Sequence, residues 1–435
     1  MKHKLELSDS LYFSSVNWNG YQNDFWTKVY HETSEGGRFY IDMSRKFNPC
    51  RFVSRDSSTW SLPWPQEIMP RFRMVDYDPN FSLSFAEVSD LKAREYASRI
   101  ESSNEKFAIL YSGGIDSTVI MAALIKNLTP AQLKNISVCT SMAAVVENPA
   151  FWKKYIFGQF EVIDSMVNKY DALIEQGYTP VTADDGDCIQ GTVFGLNLLH
   201  NWESLVGDRL SPESKAHIRG ILPGFSNADV HYSEFKDLFA VYMQYNANPA
   251  FPLPRVENPD LTFGRKLYDK FDLNARTASV PVNSLWDFVW WLIFNVKMLN
   301  CAVRGPLYYN DRIEPGPAIS AVDNWYLYSG YQHWSMVNNN NGQKIGHSAA
   351  TYKKAARDYI WDLDRNDWYR AFKLKLESLA LNTFGQSVDA NSVIYKPSQR
   401  FGVDKNWRML NIDDVSVQEY IQHHLANYKI DWSDS

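Results

Sequence analysis

Cysteine is scarce in this chain. The four present, Cys50, Cys139, Cys188 and Cys301, are scattered over 435 residues without a CxxC pair. Neither a zinc site nor a disulfide framework is indicated. The nine histidines include no HExxH, so the helical zinc-protease signature is absent as well; His423-His424 reads as a surface pair. No long apolar run occurs. The most hydrophobic stretch, Leu285 to Leu299, carries Asp287, Asn295 and Lys297 and is too short to span a bilayer, so a buried helix is expected there and no membrane partner. Neither sign of charge dominates: 44 basic against 50 acidic residues leave a formal charge of −6, which argues against non-specific nucleic-acid or anionic-membrane binding. No secretory leader opens the chain, and a cytoplasmic location is expected.

What is present is the material of a large packed protein. An apolar fraction of 45% and an aromatic fraction of 15% are those of a globular chain with substantial cores, and this length suggests two or three domains. The fifteen tryptophans are read as core residues rather than base-stacking platforms. Residues 1–84 read as a mixed or mainly β domain, because short aromatic runs (Leu11-Tyr12-Phe13, Arg38-Phe39-Tyr40-Ile41) alternate with turn clusters. Ser84 with Glu87 three residues on is a capping box that starts a helix through Phe85, Val88, Tyr96 and Ile100. Residues 85–200 then read as strand Phe107–Leu110, helix Thr118–Leu128, strand Asn135–Cys139, a helix within Phe157–Ile174, and a third strand Tyr178–Thr182. That alternation predicts an α/β domain with a doubly wound, mainly parallel sheet. Residues 201–435 read as a helical, aromatic-rich extension, with Asn338-Asn339-Asn340-Asn341-Gly342 as a surface turn.

Tyr111-Ser112-Gly113-Gly114-Ile115-Asp116-Ser117 joins the first strand to its helix, and this loop carries the chemistry. Gly113 and Gly114 let the backbone approach phosphate oxygens, the amides of the first helical turn point at the anion, and Ser112 and Ser117 add hydroxyl donors. Asp116 would repel a phosphate unless a cation lay between them, which implies Mg²⁺. A Walker loop is excluded by the missing lysine, and a dinucleotide fingerprint by the missing third glycine. A second acidic segment, Thr182-Ala183-Asp184-Asp185-Gly186-Asp187, follows the third strand, where like charges crowd in a way that Mg²⁺ would relieve.

The loop resembles the S-G-G-x-D-S signature of the N-type ATP pyrophosphatases, whose members cleave ATP between the α and β phosphates and leave a substrate adenylate. The acidic segment narrows the resemblance to the asparagine-synthetase branch, whose strand ends in (S/T)-G-(E/D)-G-x-D-E; here Ala183 and Asp185 replace glycines and Cys188 replaces the usual acid. On that match Asp187 is the second magnesium carboxylate beside Asp116. Asp184 acts on the incoming amine, Thr182 and Ala183 lie near the nucleotide, and backbone at Leu110 and Cys139 recognises adenine. Ala321-Val322-Asp323-Asn324-Trp325 is similar to the branch's P-F-x-D segment with the Pro-Phe lost. Tyr352-Lys353-Lys354-Ala355-Ala356-Arg357 is similar to its K-x-x-L-R helix, so Lys353, or Lys354 one residue off in register, would stabilise the α phosphate.

The resemblance implies ATP and Mg²⁺ as cofactors and a carboxylate and an amine or ammonia as substrates. The residues ahead of the capping box are too few for a glutaminase domain, and the cysteine nucleophile of such domains is not among the first residues; nitrogen is expected from ammonia, an amine substrate, a partner subunit or the substrate itself. A β-lactam synthetase-like ring closure and a nucleotide-binding partner protein without catalysis are the alternatives.

Overall fold

The computed structural model describes residues 55, 72–140, 144, 147–165, 170–190, 202–203, 210–221, 230–245, 262–298, 301–302, 319–340 and 353–372. Nearly all of the N-terminal segment read as β structure lies outside these residues, as do Asn341 and Gly342. The chain divides into two compact units, each assembled from separated stretches of sequence. One comprises Leu83–Gly186, Tyr309–Tyr328 and Lys354–Ser435; the other comprises Met1–Ser82, Asp187–Tyr308 and Ser329–Lys353.

The first unit is a mixed α/β structure around a five-stranded, all-parallel sheet. Its entry is the capping box: Ser84 Oγ accepts from the Glu87 amide at 3.2 Å and the Glu87 carboxylate accepts from the Ser84 amide at 2.8 Å, satisfying two orphan donors of helix α1 (Phe85–Ser103). The helix stops at Asn104 in the left-handed region, a conformation that asparagine tolerates. There follow β1 (Lys106–Leu110), α2 (Ile115–Asn127), α3 (Pro130–Leu133), β2 (Ile136–Thr140), β3 (Glu161–Asp164), α4 (Tyr170–Glu175), β4 (Tyr178–Thr182) and, much later in the chain, β5 (Asp323–Asn324). The strands lie in the order β3-β2-β1-β4-β5. The chain therefore steps outward from β1 through β2 to β3, then returns to the other side of β1. That reversal between β1 and β4 is the switch point at which open α/β sheets offer a crevice beyond their strand ends.

Phe107, Ala108 and Ile109 in β1 are completely buried, as are Val119 to Leu124 in α2, because a central strand and its helix are covered on nearly every side. One expectation needs correcting. Tyr178–Thr182 is the fourth strand rather than the third: the helix expected within Phe157–Ile174 is present as α4, but the same stretch also holds β3. Glu161-Val162-Ile163-Asp164 has a two-residue apolar centre between carboxylates, too short to display a period; it is pinned as an edge by Ser137 Oγ and Tyr178 Oη, which donate to Glu161 at 3.0 and 2.9 Å. Pro180 sits inside β4, paired with Ala108. It is tolerated because β5 pairs only Val181 and Thr182, leaving no ladder bond on that side for the missing N–H to make.

In the second unit, a capping box of Ser284 and Asp287 starts the helix Leu285–Trp291, which runs on as a π-helical stretch, Leu292–Lys297. Its aromatic residues are buried, as expected. The surface turn expected at Asn338 is a correction: helix Ser329–Asn340 continues through Asn338–Asn340. Asn338 Nδ2 donates to the Trp334 carbonyl at 2.7 Å, and buried Tyr331, Trp334 and Met336 anchor the helix, so tertiary packing outweighs the low helix propensity of asparagine. Ser335 accepts from Trp290 Nε1 at 3.0 Å and donates to the Ile189 carbonyl at 2.8 Å. Arg55 is buried here too, its guanidinium donating to the Phe72 carbonyl at 2.7 Å, to the Phe294 carbonyl at 2.9 Å and to Gln332. Among the described residues, no helix is long and apolar enough to cross a membrane.

Candidate functional site

The glycine loop leaves the C-terminal end of β1 and becomes the first turn of α2, three residues earlier than the sequence suggested. Asp116 and Ser117 therefore belong to that turn, and the amides of Ile115 to Ser117 precede the first intrahelical bond, from the Thr118 amide to the Gly114 carbonyl at 3.0 Å. These are the orphan donors of a helix N-terminus. The side chains brace the loop internally. Ser112 and Ser117 hydroxyls meet at 3.1 Å, the Ser112 amide donates to Ser117 Oγ at 3.2 Å, and Thr118 Oγ1 donates to the Gly114 carbonyl at 2.8 Å. Gly113 adopts φ +72°, and a Cβ there would lie 2.0 Å from the Ala144 carbonyl oxygen; only glycine fits.

Asp116 is half-buried, and its backbone carbonyl accepts from Tyr326 Oη at 3.0 Å. Its carboxylate backs onto Gly186, where a Cβ would stand 2.5 Å from both Asp116 Cγ and Oδ1. The glycine in the second acidic segment is thus a steric requirement of the aspartate in the first. Leu110 and Cys139 are buried near the ends of β1 and β2, and the Cys139 carbonyl accepts from the Tyr111 amide at 2.9 Å. Thr182 ends β4 with its hydroxyl accepting from the Asp184 amide at 3.2 Å; the Ala183 carbonyl accepts from the Gly186 amide at 3.0 Å. Ala183 and Asp184 are half-exposed. All these residues, from Leu110 to Asp184, lie in the first unit.

Asp187 and Lys353 belong to the second unit and are joined there. Lys353 Nζ lies 2.5 Å from Asp187 Oδ1, and Lys297 Nζ lies 3.8 Å from Oδ2. Lys353 is only 3% exposed and sits at φ +48°, an uncommon conformation for a side-chain-bearing residue. Lys354, by contrast, is exposed and ion-paired with Asp358, which also receives Arg370 Nε at 2.7 Å. The sequence reading left the two lysines open, and the buried carboxylate partner belongs to Lys353. It missed Lys297, hidden as a single charge in an aromatic stretch, and Tyr326, whose hydroxyl has no sequence signal.

The segment matched to P-F-x-D forms β5. Asp323 is held by Arg99 Nη1 at 2.6 Å and lies 3.8 Å from Lys92 Nζ. Burial, with Cys301 beside it, pushes the Cys188 thiol well above the ordinary range, so it is kept neutral and unsuited to thiolate chemistry. Among the described residues, no group of three or more His, Cys, Asp or Glu is arranged to hold a metal ion. No protein-family model, curated protein or solved structure matches the chain.

Proposed function

We propose that the chain is an ATP-dependent, AMP-forming carbon–nitrogen ligase similar to the asparagine synthetases, which activates a carboxylate or carbonyl oxygen as an adenylate and passes it to an amine or ammonia. The observation that carries this reading is the contact at Gly186: a carboxylate inside a phosphate-type glycine loop backs onto the glycine that opens the helix Gly186–Gln190, just beyond the neighbouring strand. A structural turn has no use for that arrangement. The residues fit magnesium, which in nucleotide sites takes one or two carboxylates and completes its shell with phosphates and water. Asp116 and Asp187 would hold the ion, which when bound would neutralise the pyrophosphate leaving group.

The remaining roles fall to the chain's own groups. Ser112, Ser117 and the first-turn amides of α2 bind the pyrophosphate. Lys353, ion-paired with Asp187, is a compact donor for negative charge gathering on the α phosphate. Asp184, half-exposed just beyond β4, accepts a proton from the attacking amine. The deciding experiment is product analysis with labelled ATP, magnesium, ammonium and pooled amino acids and metabolites. AMP and pyrophosphate, lost in Asp116→Ala, are expected; ADP as the product would sink the mechanism. ATP binding without turnover would favour the non-catalytic alternative.

A further inference from the structure

Behind the glycine loop, in the same compact unit, lies a set of buried polar groups that adenylation does not use. The loop rests on the segment after β2: a Cβ on Gly113 would stand 2.7 Å from Glu147 Cβ, and Glu147 and Asn148 are 7% and 2% exposed. Tyr111, just past β1, is fully buried, and its ring centre is 6.2 Å from that of Trp152. From the far end of the chain, helix Lys354–Asp364 packs on α2 and turns at Arg365, φ +58°, bringing in Asp364 and Tyr369. The Asn366 amide donates to Asp364 Oδ1 at 2.9 Å. Asp364 Oδ2 is buried with no hydrogen-bond partner, and so are Tyr111 Oη, Tyr369 Oη, Trp152 Nε1 and Asn148 Nδ2. Native proteins leave only a few such atoms unsatisfied per hundred residues, and this many in one neighbourhood calls for an occupant.

The carboxylates set the occupant's sign. Among the described residues no lysine or arginine pairs with the Asp364 carboxylate; Lys154 reaches only its backbone carbonyl, at 3.4 Å. Burial, above all, raises the Asp364 carboxyl from its ordinary value. Burial likewise pushes the Tyr369 hydroxyl well above the phenol range, with Thr118 opposing and Tyr111, Glu147 and Asp364 adding to it. A cation among these oxygens would reverse every one of those penalties. We propose that Asp364, Tyr111 and Tyr369, with Glu147 as second carboxylate, line a site for a monovalent cation of the size of K⁺ or NH₄⁺. With the Asp364 carboxylate already accepting from the Asn366 amide and the phenols neutral, the group supplies too little charge to strip a divalent ion of its water in a buried site. Trp152 and Asn148 offer donors to water oxygens in the ion's shell. Because the loop rests at Gly113 on Ala144 and Glu147, an ion here stiffens the phosphate loop from behind.

The test is thermal unfolding of the full chain without nucleotide, at constant ionic strength, in chlorides of potassium, ammonium, sodium and choline. The expected result is a saturable rise of roughly 1–3 °C over choline in potassium, ammonium or both, absent in Asp364→Asn and needing several-fold more salt in Tyr369→Phe. A rise in potassium alone marks a structural ion site, and a rise in ammonium alone marks a holding site for the nitrogen donor. Equal midpoints in all four salts would overturn the proposal, as would an unchanged salt response in Tyr369→Phe. That variant loses a single oxygen and carries the decision if Asp364→Asn does not fold. No nucleotide enters the measurement, so its outcome is independent of the adenylation assay.

Discussion

Gly113 and Gly186 are needed for different reasons. At Gly113 the backbone is left-handed and an added Cβ meets the rigid Ala144 carbonyl; at Gly186 the obstacle is the Asp116 side chain, including its Cβ at 2.8 Å. Gly113→Ala should therefore distort the loop itself and abolish ATP binding whether or not magnesium is present. Gly186→Ala should displace the Asp116 side chain, costing ten-fold or more in affinity with magnesium (about 1.4 kcal/mol) and less without it. Calorimetric titration of ATP with and without the metal checks this, and equal losses in both conditions would remove the role given to Asp116. The two adjacent lysines make a second contrast. Lys353→Met takes the 2.5 Å ion pair from the nearly buried Asp187 carboxylate, leaving Lys297 at 3.8 Å, and should lower stability by about 2–4 kcal/mol while ending AMP formation. Lys354→Ala removes an exposed ion pair, and Arg370 remains on Asp358; a change within about 0.5 kcal/mol and unaltered turnover are expected. Urea melts of both variants decide it.

Among the elements, Arg99 ties α1 to two strands. Its guanidinium donates to Glu105 at 2.6 and 2.9 Å and to Asp323 in β5 at 2.6 Å, and Glu105 also accepts from Thr179 Oγ1 in β4 at 2.7 Å. The hydrogen bonds from Arg99, then those from Thr179 against the opposing effect of burial, hold the Glu105 carboxyl below its ordinary 4.5. A carboxylate whose folded pKa is depressed stabilises the protein fully above its unfolded value and loses that contribution as pH falls through the folded one. Glu105→Gln should thus be less stable than wild type at neutral pH, with the gap narrowing as pH drops below 4.5; a gap independent of pH would mean the effect is packing alone. The same elements show what the sequence could reveal. The capping box at Ser84, the buried runs of β1 and β2 and the loop between β1 and α2 were all legible, because each is decided by residues within one or two turns of chain. β3 was not, since four residues flanked by carboxylates become a strand only through their neighbours. Nor could β5 be read, because two residues have no period, and Asp323 becomes meaningful only once Arg99 and Lys92 reach it. At the site, the glycines announced themselves, whereas Lys297 and Tyr326 acquire their meaning from residues more than a hundred positions away.

At the scale of the whole chain, the sequence pattern places a nucleotide-binding core at residues 85–200 and a helical remainder of the same domain beyond it, and the compact unit around the sheet draws on both. It is closed by Tyr309–Tyr328 and by residues from Lys354 onward. Trp325 packs tilted against Tyr96 of α1 with ring centres 5.2 Å apart, Tyr359 packs edge-on against Phe85 at 6.4 Å and donates to Asp90 at 2.5 Å, and Lys126 of α2 reaches Asp362 at 2.9 Å. Trp325, Tyr359 and Ile360 are all nearly or fully buried, and each large side chain withdrawn from water contributes about 1.5–3 kcal/mol. Removing the three together takes away roughly 5–9 kcal/mol, comparable with the entire net stability of an ordinary domain. It also leaves Arg99 without Asp323 and exposes the faces of α1 and α2. A fragment limited to residues 83–200 contains the glycine loop and the acidic segment, yet it should unfold without a cooperative transition and bind ATP far more weakly than the full chain. Adding residues 309–372 through a flexible linker should restore cooperativity in circular dichroism melts. A sharp transition in the short fragment alone, with ATP affinity matching the intact protein, would show that the sheet and its loop are self-sufficient and that the later segments serve some purpose other than completing the fold.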